Sequence, residues 1–99
     1  MILTDELDYS PGIVARKTII KNESGMIILM AFDKDTYLDT HFASGDVLVQ
    51  ILEGTCEFTV DGEKMILEAG ESVKMLPGVP HSACAPERFK MLVTKLNLD

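Results

Sequence analysis

The sequence predicts an all-β domain, a sandwich or barrel of short antiparallel strands. Three observations predict it. Strand-like runs recur at intervals of about ten residues, Asp61-Gly62 separates two alternating runs, and no stretch has the apolar period of an amphipathic helix. Taken in order, "IVARKTII" (13–20) is rich in β-branched residues and is closed by "NESG". "MIILMAFD" (26–33) is nearly continuously apolar and too short for a buried helix. "KDTYLD" (34–39) reads as a polar link, and "VLVQILE" (47–53) as a second buried strand ended by Gly54. "CEFTV" (56–60) and "EKMILE" (63–68) flank Asp61-Gly62, the signature of a type I′ hairpin in which both central residues take positive φ. "SVKML" (72–76) and "RFKMLVTKL" (88–96) complete the set. Only the first few residues suggest a helical turn.

Length and composition narrow the class. The 99 residues imply a single domain, and 46% hydrophobic content supplies a core. Sixteen acidic against nine basic residues leave a net charge of −7, which opposes nucleic acid and anionic membranes as partners. No apolar run approaches the roughly 18 residues of a membrane span. The N-terminal "MILTDELDYSPG" carries acids where a secretory signal would carry lysine or arginine, and Cys56 and Cys84 lack metal or redox spacing. A cytoplasmic location is therefore expected. "MIILMAFD" and "VLVQILE" are apolar on both faces, and covering the second face points to a homodimer.

One short stretch points to function. In "MLPGVPHSA", Pro80 fixes its own φ near about −65° and holds Val79 extended, Gly78 permits positive φ, and Pro77 stiffens the approach. The turn delivers His81 rigidly to the start of a new strand, as a ligand to a metal or small molecule requires. The same residues also read as simple loop closure.

"LEAGESVKMLPGVPHSA" resembles the second motif of the cupins, G-(D/E)-x-x-x-x-P-x-G-x-x-H, with Gly70, Glu71, Gly78 and His81 in register. Leu76 occupies the motif proline position, and proline follows at Pro77. "LDTHFASGDVLVQILEG" is similar to the first motif, H-x-H-x-x-x-x-E-x-x-x-x-x-x-G, counted back from Gly54. His41 then takes the first histidine position, Ala43 the second, and Val47 the glutamate position. The motif-like regions are 39–54 and 70–84 of one domain spanning 1–99. The resemblance implies a double-stranded β-helix, the jelly-roll cupin barrel, with ligands converging inside it.

In that family the ligands usually hold one divalent ion such as Mn, Fe, Ni or Zn. Here the resemblance leaves His41 and His81 as the metal-ligating pair, with Asp39 or Asp46 as a possible further ligand and an empty site as the alternative. Asp39 shares strand parity with His41. Asp46 is one residue out of phase unless Ser44-Gly45 forms a bulge, and Cys84 is out of phase with His81. The expected ligand pocket comprises His41, His81, Ala43, Val47 and Met75. Met65 is a further wall candidate, and Tyr37 and Phe42 read as pocket wall or dimer contact. Three functions remain open. One is a binding module for a small molecule or weakly held divalent metal. Another is a metal-dependent dioxygenase or an isomerase with an incomplete ligand set. The third is a structural or regulatory dimerisation unit with an unused cavity.

Overall fold

The computed structural model describes residues 1–97. A 3-10 turn, Leu3–Asp5, precedes eight strands: β1 Val14–Asn22, β2 Gly25–Phe32, β3 Tyr37–His41, β4 Val47–Val60, β5 Glu63–Glu68, β6 Ser72–Met75, β7 His81–Cys84 and β8 Phe89–Leu96. All pairings are antiparallel, in the order β1-β2-β8-β4-β7-β3, with β5 and β6 also pairing with β4. The sheet curls on itself, and its concave side holds the core.

The core follows strand parity. Ile28, Met30 and Phe32 of β2 face Phe89, Met91 and Val93 of β8 and Val47, Val49 and Ile51 of β4. Phe32 and Phe89 stack at 4.3 Å. The Asp61-Gly62 hairpin has φ of 50° and 83°, the positive values its sequence demands.

Two strand boundaries differ from expectation. Gly54 does not end a strand: β4 continues through it to Val60. Gly54 has φ +78°, and a Cβ there would collide with the carbonyl oxygen of Arg88 and with Phe89. With a register shift between Ile51 and Glu53, it bends β4 so that its first half pairs with β6 and β8 and its second with β5 and β7. The stretch expected as a polar link, 34–39, runs into the edge strand β3, Tyr37–His41, whose residues are mostly exposed. An edge strand need not alternate, because neither face is fully covered.

The second apolar face of β2 finds cover within the chain. Leu29 and Ala31 are fully buried yet lie outside the concave core cluster. Their cross-strand partners Lys17 and Lys90 reach the N-terminal segment, Lys17 Nζ to Glu6 and Lys90 Nζ to the Thr4 carbonyl at 2.6 Å. The Tyr9 hydroxyl donates to Glu53 at 2.6 Å, with Arg88 and Lys90 over its ring. Residues 4–9 thus strap the convex side. "VLVQILE" alternates, with Val47, Val49 and Ile51 buried and Leu48 and Gln50 exposed. Its second face is therefore more polar than the composition suggests. No helix among the described residues is long and apolar enough to cross a membrane.

Gly54→Ala is expected to lower stability by ~2–4 kcal/mol, through left-handed strain and collision with the β8 backbone. Urea denaturation reads this as a lower midpoint at unchanged slope. An unchanged midpoint would show that the β4 bend does not need glycine.

Candidate functional site

A cavity of about 370 Å³ opens on the concave side. Its apolar wall comes from Ile28, Met30, Val49, Phe58, Met91 and Val93, and its polar groups are Arg16, Asp39, His41, His81, Ser82 and Lys95.

His81 heads β7 and is hydrogen-bonded between two strands, opposite Val60 of β4 and His41 of β3. That central place leaves it 6% exposed, whereas His41 on the edge strand is exposed. The Pro77–Pro80 turn is held on three sides. Gly78, at φ +80°, donates its N–H to the Ala43 carbonyl at 2.9 Å, Val79 N–H donates to Leu76, and Asp61 N–H donates to the Pro80 carbonyl at 2.8 Å. The turn also fixes the ring. The Val79 carbonyl accepts from His81 Nδ1 at 3.0 Å, and the Asp39 carbonyl accepts from His41 Nδ1 at 2.8 Å. A carbonyl only accepts, so each neutral imidazole carries its proton on Nδ1 and leaves Nε2 bare. The two rings lie 4.2 Å apart, tilted by 60°, and Phe58 stacks on His81 at 5.9 Å.

Burial pushes the His81 pKa below its ordinary 6.5. The Val79 carbonyl partly opposes this, and the charges of His41 and Lys95 add to it. His81 is thus neutral near pH 7, the form that accepts hydrogen bonds, takes a proton or ligates a cation.

The other expected site residues are placed as follows. Asp39 lines the cavity together with His41 and Leu38, a clustering allowed by the irregularity between Leu38 and His41. Ala43 is half-buried against the core, and Val47 and Met75 are buried cross-strand partners; none of the three lines the cavity. Asp46 is exposed, and its carbonyl accepts from Leu96 N–H. A Gly45 Cβ would collide with the Leu96 backbone, so Gly45 serves close packing against β8 and does not turn Asp46 inward. Met65 is half-buried on β5, Tyr37 and Phe42 are exposed, and Cys84 faces outward. Cys56 is fully buried, and burial raises its thiol to about 12, which makes it inert.

The two cations of the cavity escaped the sequence reading. Lys95 continues the inward series Phe89, Met91, Val93, and its cross-strand partners Met26 and Val47 both pack in the core. Arg16 lies opposite Met30 in the same inward parity. The signal was present in the sequence: a cation ends an alternating apolar stripe.

The donor set does not match a resident transition metal. Among the described residues no three His, Cys, Asp or Glu side chains are grouped to hold one, and two cations share the cavity.

Residues 28–95 match the cupin domain family. The chain belongs to the cupin family. Among solved structures, this cupin is similar to a conserved protein of unknown function from Streptococcus pyogenes, at 28% identity and TM-score 0.92, covering 100% of this chain and 87% of that one. It is similar to a cupin 2 conserved barrel domain protein from Leptotrichia buccalis at 33% identity and TM-score 0.90, with 94% of this chain and 45% of that one covered. A cupin superfamily protein from Desulfitobacterium hafniense shares the fold at 23% identity and TM-score 0.94, covering 100% and 90%. No curated protein matches the chain.

The depressed His81 pKa fixes the sign of a pH effect. Below 6.5 the unfolded chain takes up a proton that folded His81 resists, so stability present above 6.5 is lost as pH falls toward the folded pKa. Melting temperature is expected to drop as pH falls below 6.5, less steeply in His81→Gln. An NMR titration placing His81 above 6.5 would contradict the burial argument.

Proposed function

We propose that this cupin is a binding module whose concave cavity takes a small organic molecule at the His41–His81 end, without a resident metal. The observation carrying this reading is the cavity itself, about 370 Å³, mostly apolar, lined by two imidazoles whose Nδ1 atoms are taken up by backbone carbonyls and whose Nε2 atoms are bare. Its size is at the small end of typical ligand sites, ~300–1,000 Å³. Metal-dependent dioxygenase or isomerase chemistry takes two imidazoles and a carboxylate, or three protein ligands, on one ion, and among the described residues no carboxylate is grouped with His41 and His81 to complete such a set. A second reading, a weakly held divalent ion such as Mn, Fe, Ni or Zn, is favoured by one feature. Carbonyl-anchored Nδ1 atoms are the usual support of metal-binding histidines.

Titration with Zn, Mn, Ni and Fe(II), followed on both histidines by NMR, separates the two. The binding-module reading expects only weak, non-stoichiometric responses. A tight one-to-one complex shifting His41 and His81 together overturns it in favour of the metal.

We further propose a homodimer of this cupin in a cytoplasmic setting. Support for the dimer is a cross-strand row on the convex side, Ile20, Ile27, Thr94 and Leu48, where Ile20 and Leu48 are 50% and 37% exposed. Light scattering should give twice the 10.9 kDa chain mass, and Leu48→Asp should shift it toward the monomer. A monomer in the wild-type protein at tens of micromolar would dismiss the dimer.

A further inference from the structure

We infer that the ligand of this cavity is a small organic acid, its carboxylate held by Arg16 and Lys95 and its polar far end by the bare Nε2 atoms of His41 and His81. The inference rests on the binding-module reading above and adds the ligand's class.

Three observations carry it. First, both cations occupy inward-facing strand positions and line the cavity, although the chain has only nine basic residues and a net charge of −7. Second, no described residue pairs with either charge. The ion pairs among the described residues are Lys17–Glu6, Arg88–Asp33 and Lys90–Glu53, and none involves Arg16 or Lys95. Val47, the register partner of Lys95, offers no carboxylate, and Asp39, the acid that lines the cavity, is not in an ion pair with either cation. Third, the chain bears a cost for this arrangement. Burial lowers the Lys95 pKa, and the neighbouring Arg16 charge lowers it further. A half-buried ammonium next to a like charge disfavours folding unless an anion arrives to offset it.

The rest of the cavity defines the ligand's body. A guanidinium fork beside an ammonium suits carboxylate or phosphate oxygens. The apolar wall of Ile28, Met30, Val49, Met91 and Val93 favours a hydrocarbon body over a bare phosphate. At the far end the imidazole Nε2 atoms accept, so a hydroxyl or other donor on the ligand is matched there.

The test compares 4-hydroxybutyrate, 6-hydroxyhexanoate and 8-hydroxyoctanoate with their primary amides, followed by calorimetry and by NMR of the histidine and methionine side chains. Saturable binding of a carboxylate, at least tenfold tighter than its amide and weakened by salt, is expected. Arg16→Met and Lys95→Met should each lose that preference at least tenfold. Unliganded Lys95→Met should melt higher than wild type, because the uncompensated charge is gone. Arg16 is the more exposed, so its variant keeps the test decisive if Lys95→Met fails to fold. Equal binding of amides and carboxylates, with histidine shifts, would overturn the organic-acid assignment while leaving the cavity reading intact. No response of either histidine to any probe would overturn both. Inorganic phosphate displacing 6-hydroxyhexanoate at lower concentration would overturn the organic body.

Discussion

The fold hangs on the close approach of β4 and β8 at Gly54. β4 pairs with four other strands, and it reaches them only because it bends there without a side chain between it and the Arg88–Phe89 backbone. One half of β4 supplies Val47, Val49 and Ile51 to the wall shared with β2 and β8. The other half supplies Phe58, and Val60 as the register partner of His81. The bend joins the apolar wall to the imidazole end of the cavity. A straight strand would place Phe58 and Val49 on separate surfaces, and the cavity between them would be lost.

The convex side depends on polar groups that answer one another. Lys90 is almost fully buried, and its ammonium meets the Thr4 carbonyl, the Tyr9 ring and the Glu53 carboxylate at 4.0 Å. Burial, then the hydrogen bond and negative charge of Glu53, raise the Tyr9 pKa, so its hydroxyl remains a donor at any ordinary pH. Asp33 accepts from Gly12 N–H and from Arg88, and both bonds hold its carboxyl below the usual range. This strap lets β2 be apolar on both faces within one chain. Among the described residues the concave cations have no such partners. The contrast between Lys90, fully answered, and Lys95, unanswered, separates a structural buried lysine from one kept for a ligand.

Local features were legible in the sequence because local chemistry decides them. Asp61-Gly62 specifies its own turn, and the Pro77–Pro80 run predicts a rigid delivery of His81 from backbone constraints alone. The role of Gly54 was not legible, because the backbone that excludes its side chain lies far along the chain, at Arg88 and Phe89. β3 was missed since an exposed edge strand has no alternation to display. The places of Val47 and Met75 turn on depth along the concave face, which register with β8 and β6 determines and sequence spacing does not. Lys95 was visible as the last inward member of Phe89, Met91, Val93, but only to a reading that asked which charged residue sits at an apolar position.

The two ends of the cavity are linked electrostatically. The Lys95 charge helps hold His81 neutral. An anion bound at Arg16 and Lys95 would screen that charge, and the His81 pKa would rise while the ligand is present. Burial, the larger influence, would still keep it depressed. Occupancy at the cationic end therefore makes the imidazole end more basic, and by reciprocity a protonated His81 would favour the anion. Carboxylate affinity should consequently increase as pH falls through the His81 titration, opposite in sign to metal binding, which protonation weakens. Ligand titrations at several pH values, with the carboxylate itself kept ionised, would distinguish the two. Affinity that falls with acidification would place the anion elsewhere or favour a cation.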